Sequence, residues 1–126
     1  MIVLDASVMI AVLDSEDAHF SRALELFRAA AGGGFAAHRL TVAETLVSAV
    51  RRDRGPAVQT ALADLGVALV DDLDDPLSLA ELRVRTGLRM PDACVLQAAI
   101  RARARLATFD DRLATAARAV GVVVMP

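Results

Sequence analysis

The sequence predicts an α/β protein, a single domain over residues 1–126 with a mainly parallel central sheet of about four to five strands and helices on both faces. Short apolar runs of strand length alternate along the chain with segments whose apolar residues recur about every 3.6 positions, as in helices. This order requires helical crossovers between strands, which favour a parallel sheet that is covered on both sides. A chain of 126 residues is long enough to bury one such core.

The first half of the chain contains two predicted strands and four predicted helices. A strand at about residues 2–4 of "MIVLDAS" leads into a short helix from Ser7 to Leu13. The segment "AHFSRALELFRAAAGGG" has helical apolar spacing and stops at Gly32, as a helix C-cap would. "FAAH" is a weak second strand, and Thr41 is the expected N-cap of the helix "TVAETLVSAVRR". Pro56 suits the first turn of the next helix, "PAVQTALADLG".

The second half continues the alternation. "VALV" is a third strand, and the acidic run "DDLDD" is explained better as a solvated loop before a helix at about Leu77 to Thr86 than as a second metal site. "MPDACVLQAAI" then lies on a helix from about Pro91 to Arg103. "RLATFDD" contains a fourth strand that ends in a turn, "RLATAARAVG" a helix, and "VVVM" the last strand.

The composition excludes several classes of protein. A net charge of -2 argues against a protein that grips nucleic acid through a general positive field, although local basic patches remain possible. All 14 basic side chains are arginine. The only cysteine, Cys94, cannot form an intramolecular disulfide, and the first residues lack the order of a signal peptide, so a cytoplasmic location is expected. The longest uncharged apolar runs are shorter than the roughly 18 residues of a membrane span.

Four carboxylates fall where a functional site is expected in such a sheet. Asp5 follows the first strand and Asp110 the fourth, while Glu44 and Asp92 are predicted in the first turns of helices. Sites in open parallel sheets form beyond the carboxyl ends of the strands, so all four can reach one crevice. Each also has a local explanation at a helix start: caps for Asp5 with Ser7 and for Asp110, a capping box for Thr41 with Glu44, and the helix dipole for Asp92.

Convergence of these carboxylates would favour a bound cation. Without a lysine nearby they would repel one another and tend to protonate unless a hard divalent ion compensates them, and Mg²⁺ prefers oxygen ligands. Zinc is disfavoured because His19, His38 and Cys94 are scattered. One or two Mg²⁺ ions could hold a phosphodiester and activate a water for in-line attack. The hydroxyls of Ser7 and Thr108 could orient ligands or waters, although capping and strand-end roles explain them equally well.

The segments "LDAS", "TVAETL", "MPDACVLQAAI" and "LATFDDRLATAARAVGV" together resemble the PIN-domain ribonucleases, and among them the VapC-like toxins of type II toxin–antitoxin systems. The resemblance covers nearly the whole chain. It implies an endoribonuclease dependent on Mg²⁺ or Mn²⁺ that is inhibited by a VapB-like antitoxin, and a homodimer is common in the family. It also implies that Asp5, Glu44, Asp92 and Asp110 are metal ligands. Asp111 could serve instead of Asp110 or together with it. We favour Asp110 as the ligand.

RNA binding would require basic side chains near the site. The candidates flank two of the acidic residues and comprise Arg51, Arg52 and Arg54 after the Glu44 helix, and Arg83, Arg85 and Arg89 before Asp92. Most of them should be solvated surface charges, and we expect about two to position phosphates. Because aromatic residues make up only 3% of the chain, we expect stacking on bases to come from arginine planes.

Other functions are less consistent with the sequence. A response-regulator receiver, the closest alternative of another class, needs a phosphate-accepting aspartate after a central strand and a lysine, whereas Asp53 lies in "RRDRG" and lysine is absent. A haloacid-dehalogenase-type phosphatase needs a second aspartate that "LDAS" lacks, and a P-loop enzyme needs a glycine-rich loop with lysine. A PIN-like module that binds RNA or protein without cutting it remains an alternative.

Overall fold

A computed structural model describes residues 1–70 and 75–125 of the chain. The described residues form five strands: β1 (Ile2–Leu4), β2 (Phe35–His38), β3 (Val67–Val70), β4 (Arg105–Ala107) and β5 (Val124–Met125). They also form seven helices: α1 (Ala6–Leu13), α2 (Phe20–Ala29), α3 (Arg39–Arg51), α4 (Gly55–Asp64), α5 (Pro76–Thr86), α6 (Met90–Ala102) and α7 (Asp111–Ala119). The predicted acidic loop "DDLDD" lies outside the described residues except for Asp75, whose side chain caps α5 by accepting a hydrogen bond from the Ser78 amide.

The strands form one parallel sheet in the order β3-β2-β1-β4-β5. The central strand β1 pairs with β2 on one side and with β4 on the other. The next two strands along the chain, β2 and β3, therefore lie on one side of β1, and the last two, β4 and β5, lie on the other side. This confirms the predicted α/β class with a parallel sheet.

Two apolar cores lie on opposite faces of the sheet. The alternation of side chains along β1 places Ile2 and Leu4 in one core and Val3 in the other. Helices α1, α2 and α4 contribute buried residues to the first core, and α5, α6 and α7 contribute to the second. The prediction of helices on both faces is confirmed. No helix in the described part of the chain has the length and apolar character to cross a membrane.

Helix α6 is the most deeply buried of the three helices that contribute to the second core. Seven consecutive residues, from position 93 to position 99, are buried, so the helix is enclosed on nearly all sides rather than along one stripe. Cys94 is among them, as expected of a packing thiol. The first turn of α6, which carries Asp92, is thus attached to a rigid support.

The start of α3 differs from the sequence prediction. The helix begins at Arg39, and His38 rather than Thr41 is the N-cap, because its imidazole Nδ1 accepts a hydrogen bond from the Leu40 amide at 3.1 Å. The predicted capping box is therefore wrong, and Glu44 lies in the second turn instead of the first. The hydroxyl of Thr41 is buried without a hydrogen-bond partner in the described residues. Helix α2 also ends earlier than predicted, at Ala29 rather than near Gly32.

Candidate functional site

The crevice beyond the carboxyl ends of β1 and β4 is the topological switch point of the sheet. From β1 the chain crosses one face to reach β2, whereas β4 is reached across the other face, so the connections diverge and leave a gap there. Asp5 follows β1 directly, and Thr108 to Asp110 follow β4. The side chains of Asp5 and Thr108 are buried, with residue exposures of 7% and 4%. The topology thus positions polar groups where ligands bind in this class of sheet.

Asp5 is held by hydroxyl groups and does not cap a helix with its side chain. It occupies the N-cap position of α1 without a side-chain cap hydrogen bond, so the local explanation for its carboxylate is wrong. Its Oδ2 instead accepts hydrogen bonds from Ser7 Oγ at 2.7 Å and from Thr108 Oγ1 at 2.8 Å. Both bonds use the same oxygen and so do not occupy Oδ1. Burial of the carboxylate is compensated by these two donors.

The same two hydroxyls also fix the loop after β4. Ser7 Oγ accepts a hydrogen bond from the Phe109 amide at 3.0 Å, and Thr108 Oγ1 accepts one from the Asp110 amide at 3.0 Å. Each hydroxyl therefore donates to Asp5 and accepts from the β4–α7 loop. The ends of β1 and β4 are joined by a continuous set of hydrogen bonds around Asp5.

Asp92 and Glu44 lie in the same electrostatic environment as Asp5. Asp92 is in the first turn of α6, as predicted, and its side chain is 18% exposed. Burial and then the negative charge of Asp5 raise the pKa of Asp92. Burial raises the pKa of Glu44 as well, followed by the charges of Asp5 and Asp92. The structure thus places Glu44 and Asp92 where the negative charge of Asp5 acts on both, and this repulsion disfavours the charged forms of Glu44 and Asp92.

Asp110 and Asp111 are placed differently. Asp110 is the N-cap of α7, where its Oδ1 accepts hydrogen bonds from the amides of Arg112 at 2.8 Å and Leu113 at 3.1 Å. Its charge also contributes to raising the pKa of Asp92. Asp111 is the exposed first residue of α7 and is not among the groups that shift the pKa of Asp92. Asp110 is therefore both a helix cap and a member of the acidic crevice.

The donor set fits a hard divalent cation that keeps part of its water shell. Within residues 1–70 and 75–125, no three histidine, cysteine, aspartate or glutamate side chains are arranged so that they could hold a metal ion together. The crevice nevertheless presents only oxygen ligands, and Mg²⁺ commonly binds through one or two carboxylates with several waters.

Two arginines adjoin the acidic crevice. Nε of Arg89 lies 3.7 Å from Asp92 Oδ2, and the charge of Arg89 lowers the pKa of both Asp92 and Glu44. Arg112 donates a hydrogen bond to the Gly87 carbonyl at 3.2 Å and also lowers the pKa of Asp92. Sequence reasoning missed Arg112, although its position directly after the "FDD" acids could have indicated it. These are the only cations that shift the pKa of either acid among the described residues.

The other predicted RNA contacts are farther from the crevice acids. Arg51 and Arg52 lie at the C-terminal end of α3, about 10 Å along the helix from Glu44 at 1.5 Å per residue. Arg54 is the N-cap residue of α4, and Arg83 and Arg85 are exposed in the last turn of α5. The structure therefore joins Arg89 to the site and leaves these residues on the surrounding surface.

Sequence reasoning also overlooked an aromatic ring beside the site. Phe109 lies between Thr108 and Asp110, and its ring stacks on the imidazole of His19, with 4.5 Å between the ring centroids and 13° between the planes. The guanidinium carbon of Arg22 lies 5.1 Å from the centroid of the Phe109 ring. The only sequence signal was the position of Phe109 within "ATFDD".

An acidic crevice at the switch point of a five-stranded parallel sheet defines a small α/β domain suited to bind a cation and an anionic ligand. The chain belongs to the PIN domain family, whose sequence profile matches residues 2–119. The family predicted from the four sequence segments is thereby confirmed.

Solved structures show the same fold at low sequence identity. VapC20 from Mycobacterium tuberculosis, a sarcin-ricin loop cleaving toxin, is 21% identical with a TM-score of 0.74, covering 98% of this chain and 97% of that one. A toxin–antitoxin complex from Klebsiella pneumoniae is 23% identical with a TM-score of 0.71, covering 87% of each chain. VapBC2 from Rickettsia felis, bound to a DNA fragment from its promoter, is 19% identical with a TM-score of 0.70, covering 99% and 98%. No curated protein matches this chain in sequence.

Proposed function

We propose that this chain is a VapC-like toxin, an endoribonuclease that hydrolyses RNA phosphodiester bonds with Mg²⁺, for which Mn²⁺ can substitute. The observation that supports the proposal is that, at the switch point of a PIN domain, the charges of Asp5 and Asp110 act on Asp92 and those of Asp5 and Asp92 act on Glu44. Four carboxylates with two nearby arginines leave this crevice with an excess of negative charge. A divalent cation is the natural compensation, and phosphodiester hydrolysis is the chemistry that such a cation supports.

Asp5 and Asp92 are the proposed principal metal ligands, and Glu44 and Asp110 complete the site. A divalent ion held there would supply Lewis acidity, which lowers the pKa of a bound water and offsets charge on the leaving oxygen. Ser7 and Thr108 are positioning residues, because their hydrogen bonds to Oδ2 fix the Asp5 carboxylate. Asp110 keeps Oδ1 on the α7 amides, so its contribution would come from the other oxygen. Asp111 is a peripheral acid in this proposal.

Arg89 and Arg112 are the proposed contacts to the RNA phosphates on either side of the cut. The Arg89 side chain is 78% exposed and lies 3.7 Å from Asp92 in the ion pair, so it can leave this weak pair to bind a phosphate. Arg112 is tethered through the Gly87 carbonyl and flanks the same crevice. Arg51, Arg52 and Arg83 would bind RNA only if the strand extends over the neighbouring surface.

The test is cleavage of labelled structured RNAs by the purified chain in Mg²⁺, Mn²⁺ or EDTA. We expect cutting with either metal, none in EDTA, and loss of cutting in Asp92→Asn. Asp64→Asn is the matched control, because Asp64 is exposed at the end of α4, and it should cut like the wild type. Calorimetric titration with Mn²⁺ supplies an independent readout. Absence of metal-dependent cutting on every RNA, together with unchanged Mn²⁺ binding by Asp92→Asn, would sink the nuclease proposal in favour of a module that only binds RNA or protein.

A VapB-like antitoxin and a second copy of the chain are the proposed protein partners, and the proposed setting is the cytoplasm. Structures that share the fold include toxin–antitoxin complexes. Large apolar side chains also remain exposed on the single chain, including Val47 and Val50 on α3 and Leu77 and Val84 on α5. Light scattering of the purified chain tests the dimer. Growth rescue by a small open reading frame next to the gene tests the antitoxin, and failure of every neighbouring frame to rescue would argue against it.

A further inference from the structure

Three side chains form a cluster of ring contacts around Phe109, in the loop that also carries Thr108 and Asp110. This Phe109 cluster consists of His19 from the loop before α2, Arg22 on α2, and Phe109 from the β4–α7 loop. The imidazole and phenyl rings are nearly parallel, 4.5 Å apart, and the Arg22 guanidinium carbon is 5.1 Å from the phenyl centroid. These distances are those of aromatic stacking and of a cation–π contact.

The cluster has a fixed position relative to the proposed metal ligands. The Phe109 amide donates to Ser7 Oγ at 3.0 Å, and Ser7 Oγ donates to Asp5 Oδ2 at 2.7 Å. Phe109 is also bonded covalently to Thr108, which donates to the same carboxylate oxygen, and to Asp110. The hydrogen bonds that fix Asp5 therefore also fix the backbone of the residue on which Arg22 rests.

Arg22 is a cation that no carboxylate neutralises in the described part of the chain. It is exposed, and the contact found for it is with the face of an aromatic ring. A guanidinium held over a ring by a cation–π contact uses no N–H group for that contact, so its N–H groups remain available for hydrogen bonds. Such an arrangement is suited to a phosphate, which binds at the edge of the guanidinium in bidentate geometry. A cation–π contact at an exposed site contributes only about 0.5–1 kcal/mol, so stability is a weak reason to place an arginine here.

We propose that the Phe109 cluster is a binding subsite for a nucleotide that flanks the scissile bond of an unpaired RNA strand. The edge of Arg22 binds its phosphate, and the guanidinium face that is turned away from Phe109 can accept its base. Recognition through stacking and phosphate contacts is typical of single strands. The subsite rests on the proposed function for its role in cleavage, but RNA binding there can be measured without cleavage.

The experiment measures binding of a short fluorescein-labelled single-stranded RNA of mixed sequence by anisotropy, over a series of salt concentrations. Asp92→Asn is the parent variant, so that RNA remains intact. Adding Arg22→Ala should weaken binding by about 5- to 10-fold and reduce the slope of log K against log salt by about 0.7, the value for one phosphate contact on a single strand. Arg22→Lys should retain the slope and recover only part of the affinity, because lysine keeps the charge without the planar fork. Arg118→Ala, an exposed arginine in the last turn of α7, is the matched control and should bind like the parent.

Further outcomes separate this proposal from the nuclease proposal. If the wild type cuts RNA but Arg22→Ala matches the parent in affinity and salt slope, the subsite is wrong and the nuclease proposal stands. If no RNA is cut but RNA binding depends on Arg22 as described, the subsite is supported as an RNA-binding site and the nuclease proposal is wrong. Phe109→Leu should weaken binding by removing the ring under Arg22, and parental affinity in this variant, with an unchanged melting curve, would overturn the stacked geometry. A loss of affinity for the antitoxin with RNA binding unchanged would assign Arg22 to a protein interface and overturn the proposal.

Discussion

The two halves of the acidic crevice are supported in different ways. Asp5 is buried and accepts hydrogen bonds from two hydroxyls that also bind the β4–α7 loop. Asp92 and Glu44 receive no such hydrogen bonds from the described residues, and they interact with repelling carboxylates and with Arg89 through charge. Folding thus completes the Asp5 half by itself, whereas the Asp92 half retains an electrostatic penalty that a cation would remove. The Asp5 half is therefore supported by hydrogen bonds within the described part of the chain, and the Asp92 half is not.

The largest expected effect is on catalysis, where the two halves should behave alike. Asp5→Asn and Asp92→Asn should each reduce RNA cleavage on the order of 10³-fold or more, because removal of a metal ligand disables the site as a unit. Single-turnover cleavage in Mg²⁺ measures this, with Asp64→Asn as the control. An activity within tenfold of the wild type for either variant would exclude that residue as a principal ligand.

The two halves should separate in thermodynamic stability. Asp5→Ala should lower the free energy of unfolding by about 2–4 kcal/mol, because it leaves the buried Thr108 hydroxyl and the part-buried Ser7 hydroxyl without their acceptor. Asp92→Asn in metal-free buffer should instead raise the melting temperature by about 2–5 °C, because it removes a carboxylate that its neighbours repel. Denaturant and thermal unfolding in EDTA measure both. Equal destabilisation by the two variants would refute the division into a supported and an unsupported half.

Two buried threonines provide a finer comparison. Thr108 donates to Asp5 and accepts from the Asp110 amide, so Thr108→Val should destabilise the chain by about 1–2 kcal/mol. Thr41 has a buried hydroxyl without a partner among the described residues, so Thr41→Val should be neutral or stabilising by up to about 1 kcal/mol. The substitution is the same at both sites, and chemical unfolding should show opposite or clearly unequal effects. A loss of stability at Thr41 as large as that at Thr108 would show that its hydroxyl has a hidden role.

The pH dependence of the free energy of unfolding should reveal the repulsion in the Asp92 half, and this test requires no mutation in the Asp5 half. Because folding raises the pKa of Asp92 above its ordinary 3.8 and that of Glu44 above its ordinary 4.5, the folded chain binds more protons than the unfolded chain above these values. The free energy of unfolding in EDTA should therefore fall as pH rises through this window towards neutrality. Asp92→Asn should show a smaller fall, and Mg²⁺ at neutral pH should restore stability to the wild type by preferential binding. Parallel pH profiles of the two chains would contradict the assignment.

The smallest expected effect concerns Arg89. Its ion pair with Asp92 is on an exposed side chain, so Arg89→Gln should change the free energy of unfolding by less than about 0.5 kcal/mol. The same variant should raise KM for RNA more than it lowers kcat if the guanidinium mainly binds phosphate. Steady-state cleavage measures the two constants, with Arg118→Gln as the control. A large stability loss would mean that the ion pair holds α6 in place.

The sequence predicted the parts of this molecule that depend on local pattern. Apolar runs and helical spacing located the strands and helices, and the alternation of the two indicated a parallel sheet. Asp92 was placed correctly in the first turn of α6 because Pro91 marks a helix start wherever the helix packs. Asp110 was likewise recognisable as a helix cap.

The errors arose where distant or unusual partners replace local ones. Thr41 with Glu44 matches a capping box, but β2 leads directly into α3 and the His38 imidazole takes the place of the hydroxyl cap. Asp5 resembles a helix cap in sequence, yet its partners include Thr108, 103 positions away. The contacts of Arg22 and His19 with Phe109 likewise join α2 and the loop before it to the β4–α7 loop. No rule of sequence spacing relates residues that lie so far apart in the chain.

The pairing of β1 with β4 also determines when the site can form while the chain is being synthesised. A growing chain that has passed Asp92 already carries three of the four crevice carboxylates, but Thr108 and the strand that flanks β1 are still to be made. Contacts between such distant segments form late in folding. If the chain is the toxin proposed above, no working site can exist until β4 and Thr108 have been synthesised and β4 has paired with β1, so a nascent chain that has only just passed Asp92 is still harmless to the cell that makes it.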